Sequence, residues 1–298
     1  MDPHPNLQFR TIGLLAKYAD PVVCETLKAI TAILQQRGLT VLVDERSSQL
    51  AECHGAQMAS RRVIGESCDL AIVVGGDGTF LNAARSLVSF QVPLLGINLG
   101  RLGFLTDVSL AAVEETLDQV LTGHYVSENR CLLHATILRG GEVISESDAL
   151  NDVVIHKWNV ARMIEFETYV NGKFAYTLRS DGLIVSTPTG STAYALSGGG
   201  PIIYPDVPVT LLVPICPHTL SNRPLVVPCD AQIEIVVSDS NQDHAQVTCD
   251  GQINLGLISG DRVIIQKRNP CIRLIHPENY DYFRILREKL HWSKRLYD

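Results

Sequence analysis

Apolar and polar positions follow two different rhythms along the chain, and the change comes near residue 128. Before it, short apolar runs at 11–16, 40–44, 69–74 and 93–97 read as strands. Between the first two, residues 21–37 place Val23, Leu27, Ile30 and Leu34 on one helical face, and Gly38 follows as a C-cap. A second helix is predicted after Gly78, and a third from Ser109, as its N-cap, to about Gly123. The run Leu70-Ala71-Ile72-Val73-Val74 is apolar without interruption, which suits a strand covered on both faces of a parallel sheet. This strand–helix alternation predicts an α/β N-terminal domain, Rossmann-like, with a doubly wound parallel sheet.

From Cys131 to Ile275 the rhythm is that of β-branched, alternating segments separated by turn residues. Segments 163–170 and 173–179 flank Asn171-Gly172, a hairpin signal because a two-residue turn needs positive φ at both central positions. Gly140-Gly141 marks a second turn, and 232–237, 245–249 and 262–267 read as further strands. The expectation is a β-rich, sandwich-like C-terminal domain, interrupted by a short helix at 191–196. The tail 280–290 is helical in pattern. The division expected is 1–128 and 129–277, with a terminal helix within 278–298 packing back on the first domain.

Composition narrows the function class. A length of 298 residues suits two domains. With 46% hydrophobic and 19% charged residues, a well-buried core is expected rather than disorder. The net charge of -7 without a long Lys/Arg run argues against nucleic acid as a partner. The longest apolar runs have strand length, well short of the roughly 20 residues that span a bilayer, so no membrane association is expected. The start, Met-Asp-Pro-His-Pro, has neither the basic nor the apolar region of a secretory signal. None of the eight cysteines forms a C-x-x-C pair, which removes support for zinc or thioredoxin chemistry. Together these features predict a cytoplasmic protein.

Three segments carry candidate chemistry. The first is Gly75-Gly76-Asp77-Gly78-Thr79, directly after the 69–74 strand and before a helix, the ligand-binding end of a strand in an open α/β sheet. The glycines admit a phosphate, and the helix N-terminus supplies N–H donors. A carboxylate repels phosphate, so Asp77 reads either as a cap of the following helix or as the acceptor of a proton from an attacking hydroxyl. No G-x-x-x-x-G-K-[ST] occurs, and the Gly75 loop lacks the third glycine of G-x-G-x-x-G. The second segment runs from Ser180-Asp181-Gly182 through Thr187-Pro188-Thr189-Gly190-Ser191-Thr192-Ala193-Tyr194 to Ser197-Gly198-Gly199-Gly200-Pro201. Its small hydrogen-bonding residues suit a base, ribose or phosphate, and the plainer reading is a Gly/Pro-rich loop between strands. The third is Asn151-Asp152 at the start of Val153-Val154-Ile155, on local grounds a turn or cap pair.

In this order, together with Asn98-Leu99-Gly100, Leu102-Gly103-Phe104-Leu105, Asp250-Gly251-Gln252 and Leu274-Ile275-His276-Pro277, the segments resemble the NAD kinase family from about residue 10 to the end. Gly-Gly-Asp-Gly alone is shared with diacylglycerol, sphingosine and 6-phosphofructo-kinases; the Thr187–Tyr194 element and the full order are the specific part. The resemblance implies transfer of the γ-phosphate of ATP, with a divalent metal ion such as Mg²⁺, to the 2′-hydroxyl of the adenosine ribose of NAD. Asp77 would be the proton acceptor, with Gly78 beside the dinucleotide. Asn151 and Asp152 would bind adenine and ribose groups. Asp181, Thr192, Ala193, Tyr194, Ala195, Leu196 and Ser197 would line the dinucleotide site, with Gln252 nearby and Arg162 and Arg179 approaching the substrate. The family usually has Asn-Glu where this chain has Asn151-Asp152, so a ribose contact would be weaker or bridged by water. Gly198 replaces a common alanine. A homodimer or homotetramer is also implied. The rival readings are a lipid kinase with the same glycine loop and a non-catalytic NAD(P)-binding sensor.

Overall fold

A computed structural model of the chain describes residues 7–16, 21–50, 56–158, 163–238 and 245–292. They form two compact units, Met1–Asn129 with Ile272–Asp298, and Arg130–Cys271.

The first unit is built on parallel strands. Gln57–Ala59, Thr40–Asp44, Thr11–Ala16, Leu70–Val74 and Leu94–Asn98 lie side by side in that order, every pair parallel. Chain order therefore reverses between Thr11–Ala16 and Leu70–Val74, the switch point at which open α/β sheets bind ligands beyond their carboxyl ends. Leu70–Val74 is buried at all five positions, as its unbroken apolar run requires. Helix Pro21–Gln36 buries Val23, Leu27, Ile30 and Leu34 in the core shared with Leu14, Val41 and Ile72. The helix expected from Ser109 begins later: a 3-10 turn, Leu110–Ala112, precedes Val113–Leu121, and the Ser109 side chain makes no capping bond. Ser109 is instead engaged in strand pairing opposite Asn98.

In the second unit the alternation becomes two antiparallel layers. Lys173–Ser180, Ile164–Val170, Ile233–Val237 and the first part of Arg262–Pro277 form one. The other has the order Leu225–Pro228, Val209–Ile215, Gly182–Ser186, Asp152–Lys157, Ala245–Cys249, Ile253–Leu257. Phe166, Ile235 and Ile265 of the first layer pack with Val153, Ile155, Val185 and Val247 of the second in one core. Val154, Ile184, Leu211 and Val213 face the other way, where Ala195 of the short helix Tyr194–Ser197 covers them. Burial on both faces explains why Val153-Val154-Ile155 is apolar throughout. Asn171-Gly172 closes its hairpin with φ of 51° and 71°. The strand expected at 262–267 continues to Pro277. Leu274 and Ile275 pair with Leu94 and Leu95, which groups residues from Ile272 onward with the first unit. No helix among the described residues is long and apolar enough to cross a membrane.

Candidate functional site

Strand Leu70–Val74 delivers the chain into Gly75, whose N–H donates to the Ile97 carbonyl at 2.9 Å. Helix Asp77–Leu87 follows, with Gly76 at the N-cap and no side-chain capping bond. The cap reading of Asp77 therefore fails; its carboxylate turns to a distant loop. Phe104 N–H donates to Oδ2 at 2.9 Å, Leu105 N–H to Oδ1 at 3.0 Å, and the Thr106 hydroxyl to Oδ1 at 3.3 Å. Gly103 permits this closeness, because a Cβ there would lie 2.1 Å from Asp77 Oδ1. The loop is itself held: Gly103 N–H and Asn98 Nδ2 both donate to the Thr106 carbonyl, at 3.0 and 3.2 Å. A half-buried carboxylate is thus fixed in one rotamer at a helix N-terminus, where the helix dipole favours negative charge. Nothing local in the sequence marks Phe104, Leu105 and Thr106 as partners of Asp77. The Leu102-Gly103-Phe104-Leu105 motif is the sequence signal for this segment, but its partner Asp77 lies 27 residues or more away.

The second unit gathers another group. Asn151, Asp152, Asp181, Ala193 and Tyr194 line one cavity of about 640 Å³. Its organiser is Asp250, at φ 51° in the turn between Ala245–Cys249 and Ile253–Leu257. Asp250 accepts hydrogen bonds from the N–H groups of Leu150, Asn151 and Asp152 at 3.1, 2.7 and 3.2 Å. This draws Asp152 down to 4% exposure. Burial, helped by the charge of Asp250, pushes the Asp152 carboxyl up to about 7. Asp181 pairs with Lys157 at 2.6 Å.

The hydroxyls of the 187–192 segment are spent largely inside the protein. Thr187 Oγ1 donates to the Leu150 carbonyl at 2.6 Å, Ser191 Oγ to the Pro188 carbonyl at 2.6 Å, and Thr192 Oγ1 to the Thr189 carbonyl at 3.2 Å. They shape the turn that presents Ala193 and Tyr194. Gly190 is required for the fit, since a Cβ there would lie 2.1 Å from the Asn151 carbonyl oxygen.

Other expected site residues lie elsewhere. Ala195 is fully buried in the apolar cluster beneath its helix. Thr192, Leu196 and Ser197 are outside the cavity lining, and so is Gln252, exposed beside the lining residue Gly251. Arg179 is exposed on its strand opposite Glu165. Asp77 and Gly78 belong to the first unit. Arg162 lies outside the described residues. Conversely His156, Lys157, Gln246 and Thr248 line the cavity without having been singled out. Strand alternation is the signal for His156, Gln246 and Thr248: 152, 154 and 156 share one face, and register sets Gln246 beside His156 and Thr248 beside Val154. It does not point to Lys157, which pairs with Asp181.

Comparison with known proteins follows the same division. The ATP-NAD kinase N-terminal domain matches residues 12–125, and the ATP-NAD kinase C-terminal domain residues 150–276. An NAD kinase of Chromohalobacter salexigens is 50% identical over 288 residues, covering 97% of this chain and 98% of that relative. An NAD kinase of Nitrosococcus oceani is also 50% identical over 288 residues, with the same coverage. Among solved structures, yeast NADH kinase complexed with NADH has a TM-score of 0.88 at 26% identity, covering 99% of this chain and 94% of that one. An Archaeoglobus fulgidus NAD kinase in complex with ATP has a TM-score of 0.74 at 26% identity, covering 94% and 98%.

Proposed function

The chain belongs to the NAD kinase family, and from that premise we propose how its residues carry the reaction. Its activity is phosphoryl transfer from ATP to NAD, giving NADP and ADP. Asp77 is the proton acceptor: it takes the proton of the adenosine-ribose 2′-hydroxyl as that oxygen attacks the γ-phosphorus of ATP. The observation that carries this role is the placement of Asp77 at a glycine-rich helix start beside the sheet's switch point, where the three-donor clamp holds its carboxylate in one orientation. Phosphoryl transfer depends mainly on positioning and charge neutralisation, and a fixed base serves the first. Gly78, in the first turn after Asp77, leaves room for the dinucleotide.

Asn151, Asp152, Asp181, Ala193 and Tyr194 hold the dinucleotide in the second-unit cavity, with His156, Lys157 and Gln246 added to that group. Asp152, kept largely protonated below about 7, can donate as well as accept toward ribose or base. Thr192, Ala195, Leu196 and Ser197 contribute by shaping the turn and helix that present Tyr194. Gln252, beside the lining residue Gly251, and Arg179, exposed on its strand, approach the substrate from the rim of the site. Mg²⁺ enters with ATP as part of the substrate, held by phosphate oxygens and water. Among the described residues no group of three or more His, Cys, Asp or Glu side chains is gathered to hold it.

The test is to mix protein, NAD and Mg·ATP and to measure NADP. Binding of NAD without NADP formation favours the sensor reading. Asp77→Asn is expected to stay folded and to lose roughly 10²–10⁴ in turnover; near-normal turnover removes Asp77 from its role. The cytoplasm remains the proposed compartment, on the cysteine pattern. A homodimer or homotetramer is proposed through the β-rich unit, where Leu220, Leu225 and Val226 are exposed on or near the edge strand Leu225–Pro228. A monomer in sedimentation velocity overturns that assembly.

A further inference from the structure

The loop that clamps Asp77 has a second anchor that the reaction does not by itself explain. One residue beyond Thr106 stands Asp107, its side chain 4% exposed. Its Oδ2 accepts from His276 Nδ1 at 3.0 Å. His276 is 1% exposed, lies with Nε2 3.8 Å from Glu128 Oε2, and stacks on Tyr280 with ring centroids 3.9 Å apart and planes 18° apart. His276 Nε2 and Asp107 Oδ1 have no hydrogen-bond partner. Apolar side chains of similar size at both positions would fill this space without leaving two buried polar atoms unsatisfied, a state that costs stability. The cluster is therefore poorly explained by packing alone.

Its position supplies the explanation. His276 follows Leu274 and Ile275, which pair with Leu94 and Leu95 of the strand ending at Asn98. Asn98 Nδ2 holds the Thr106 carbonyl, and His276 holds the next residue, Asp107. The three donors that orient Asp77 belong to residues 104–106, immediately before and at these two anchor points. We infer that His276 is a positioning residue for the catalytic centre, acting through Asp107 and loop 103–107 on the Asp77 carboxylate. The inference rests on the reading of Asp77 as proton acceptor. It assigns His276 no contact with either substrate.

A double-mutant cycle in the full-length enzyme tests it, with NAD and Mg·ATP saturating. His276→Leu is expected to lower kcat about 10- to 100-fold, the scale on which a displacement of about 1 Å at a reacting group acts, with KM for NAD within about twofold. His276→Asn, which can return a donor to Asp107, recovers part of the loss. In the Asp77→Asn background His276→Leu changes the residual rate by less than about twofold, because its target is gone. Equal losses in both backgrounds, or unchanged kcat in His276→Leu, overturn the inference while leaving Asp77 in place. Near-normal turnover of Asp77→Asn alone overturns the reading of Asp77 and the inference with it. Should His276→Leu fail to fold, as judged by circular dichroism, Asp107→Asn is carried through the same cycle under the same criteria.

Discussion

Asp77 and Asp250 use the same device for opposite ends. Each carboxylate accepts three hydrogen bonds from a segment far away in sequence: residues 104–106 for Asp77, residues 150–152 for Asp250. At Asp77 the loop serves the carboxylate. The side chain stands half-buried at the start of a helix, after a parallel strand beside the switch point, and the donors set its direction. At Asp250 the carboxylate serves the loop. It sits in a hairpin turn, and the backbone it gathers presents Asn151 to the cavity and buries Asp152. A carboxylate that accepts three hydrogen bonds from a distant segment is therefore not a mark of catalysis in itself. What separates the two is what stands next to each: a glycine-rich helix start in one case, a second carboxyl pushed up to about 7 in the other.

Substitutions can break the comparison. The largest contrast is Asp77→Asn, with its roughly 10²–10⁴-fold loss in turnover, against Asp250→Asn. The latter is expected to raise KM for NAD about tenfold and to cost about 1–3 kcal/mol of stability, because amide hydrogens now face N–H donors. Steady-state kinetics with thermal unfolding reads both, and matching kinetic profiles would erase the distinction. Next comes Gly103→Ala, whose Cβ would stand 2.1 Å from Asp77 Oδ1 and must displace the clamp. A kcat loss of about 10²-fold with a retained fold is expected, whereas a pure rise in KM would show that the loop serves binding instead.

The smallest effect concerns pH. The folded Asp152 carboxyl titrates near 7 against an ordinary value of 3.8, so the folded chain binds more protons than the unfolded chain between those values. Its contribution to stability is present below about 4 and is lost as pH rises through about 7. Urea unfolding of wild type and Asp152→Asn from pH 4 to 8 should show the gap moving in favour of the variant as pH rises. A constant gap would mean that Asp250 does not bury its neighbour's charge as described.

Much of the chain was readable from short-range physics. Strands Thr11–Ala16, Thr40–Asp44 and Ala245–Cys249 begin and end where apolar periodicity starts and stops. The hairpin at Asn171-Gly172 follows from two residues that tolerate positive φ. The ordered motifs pointed to the NAD kinase family and to Asp77. By contrast, helix Arg61–Ser67 escaped, since it is seven residues long and buries only Ile64 and Gly65. Its N-cap Ser60 was the single local sign.

The sequence alone determined the two rhythms, most of the elements they build, the family, and Asp77 as the carboxylate to propose for the reaction, because periodicity, turn chemistry and motif order are read along the chain. Tertiary structure alone decided what Asp77 does with its oxygens, that Asp250 organises the cavity, and that His156, Gln246 and Thr248 join it. It also decided that Thr187 and Ser191 spend their hydroxyls on the fold. Those outcomes depend on strand order, register and hydrogen bonds closed over tens of residues. No local pattern specifies which distant backbone N–H will meet a given carboxylate until the sheets have paired.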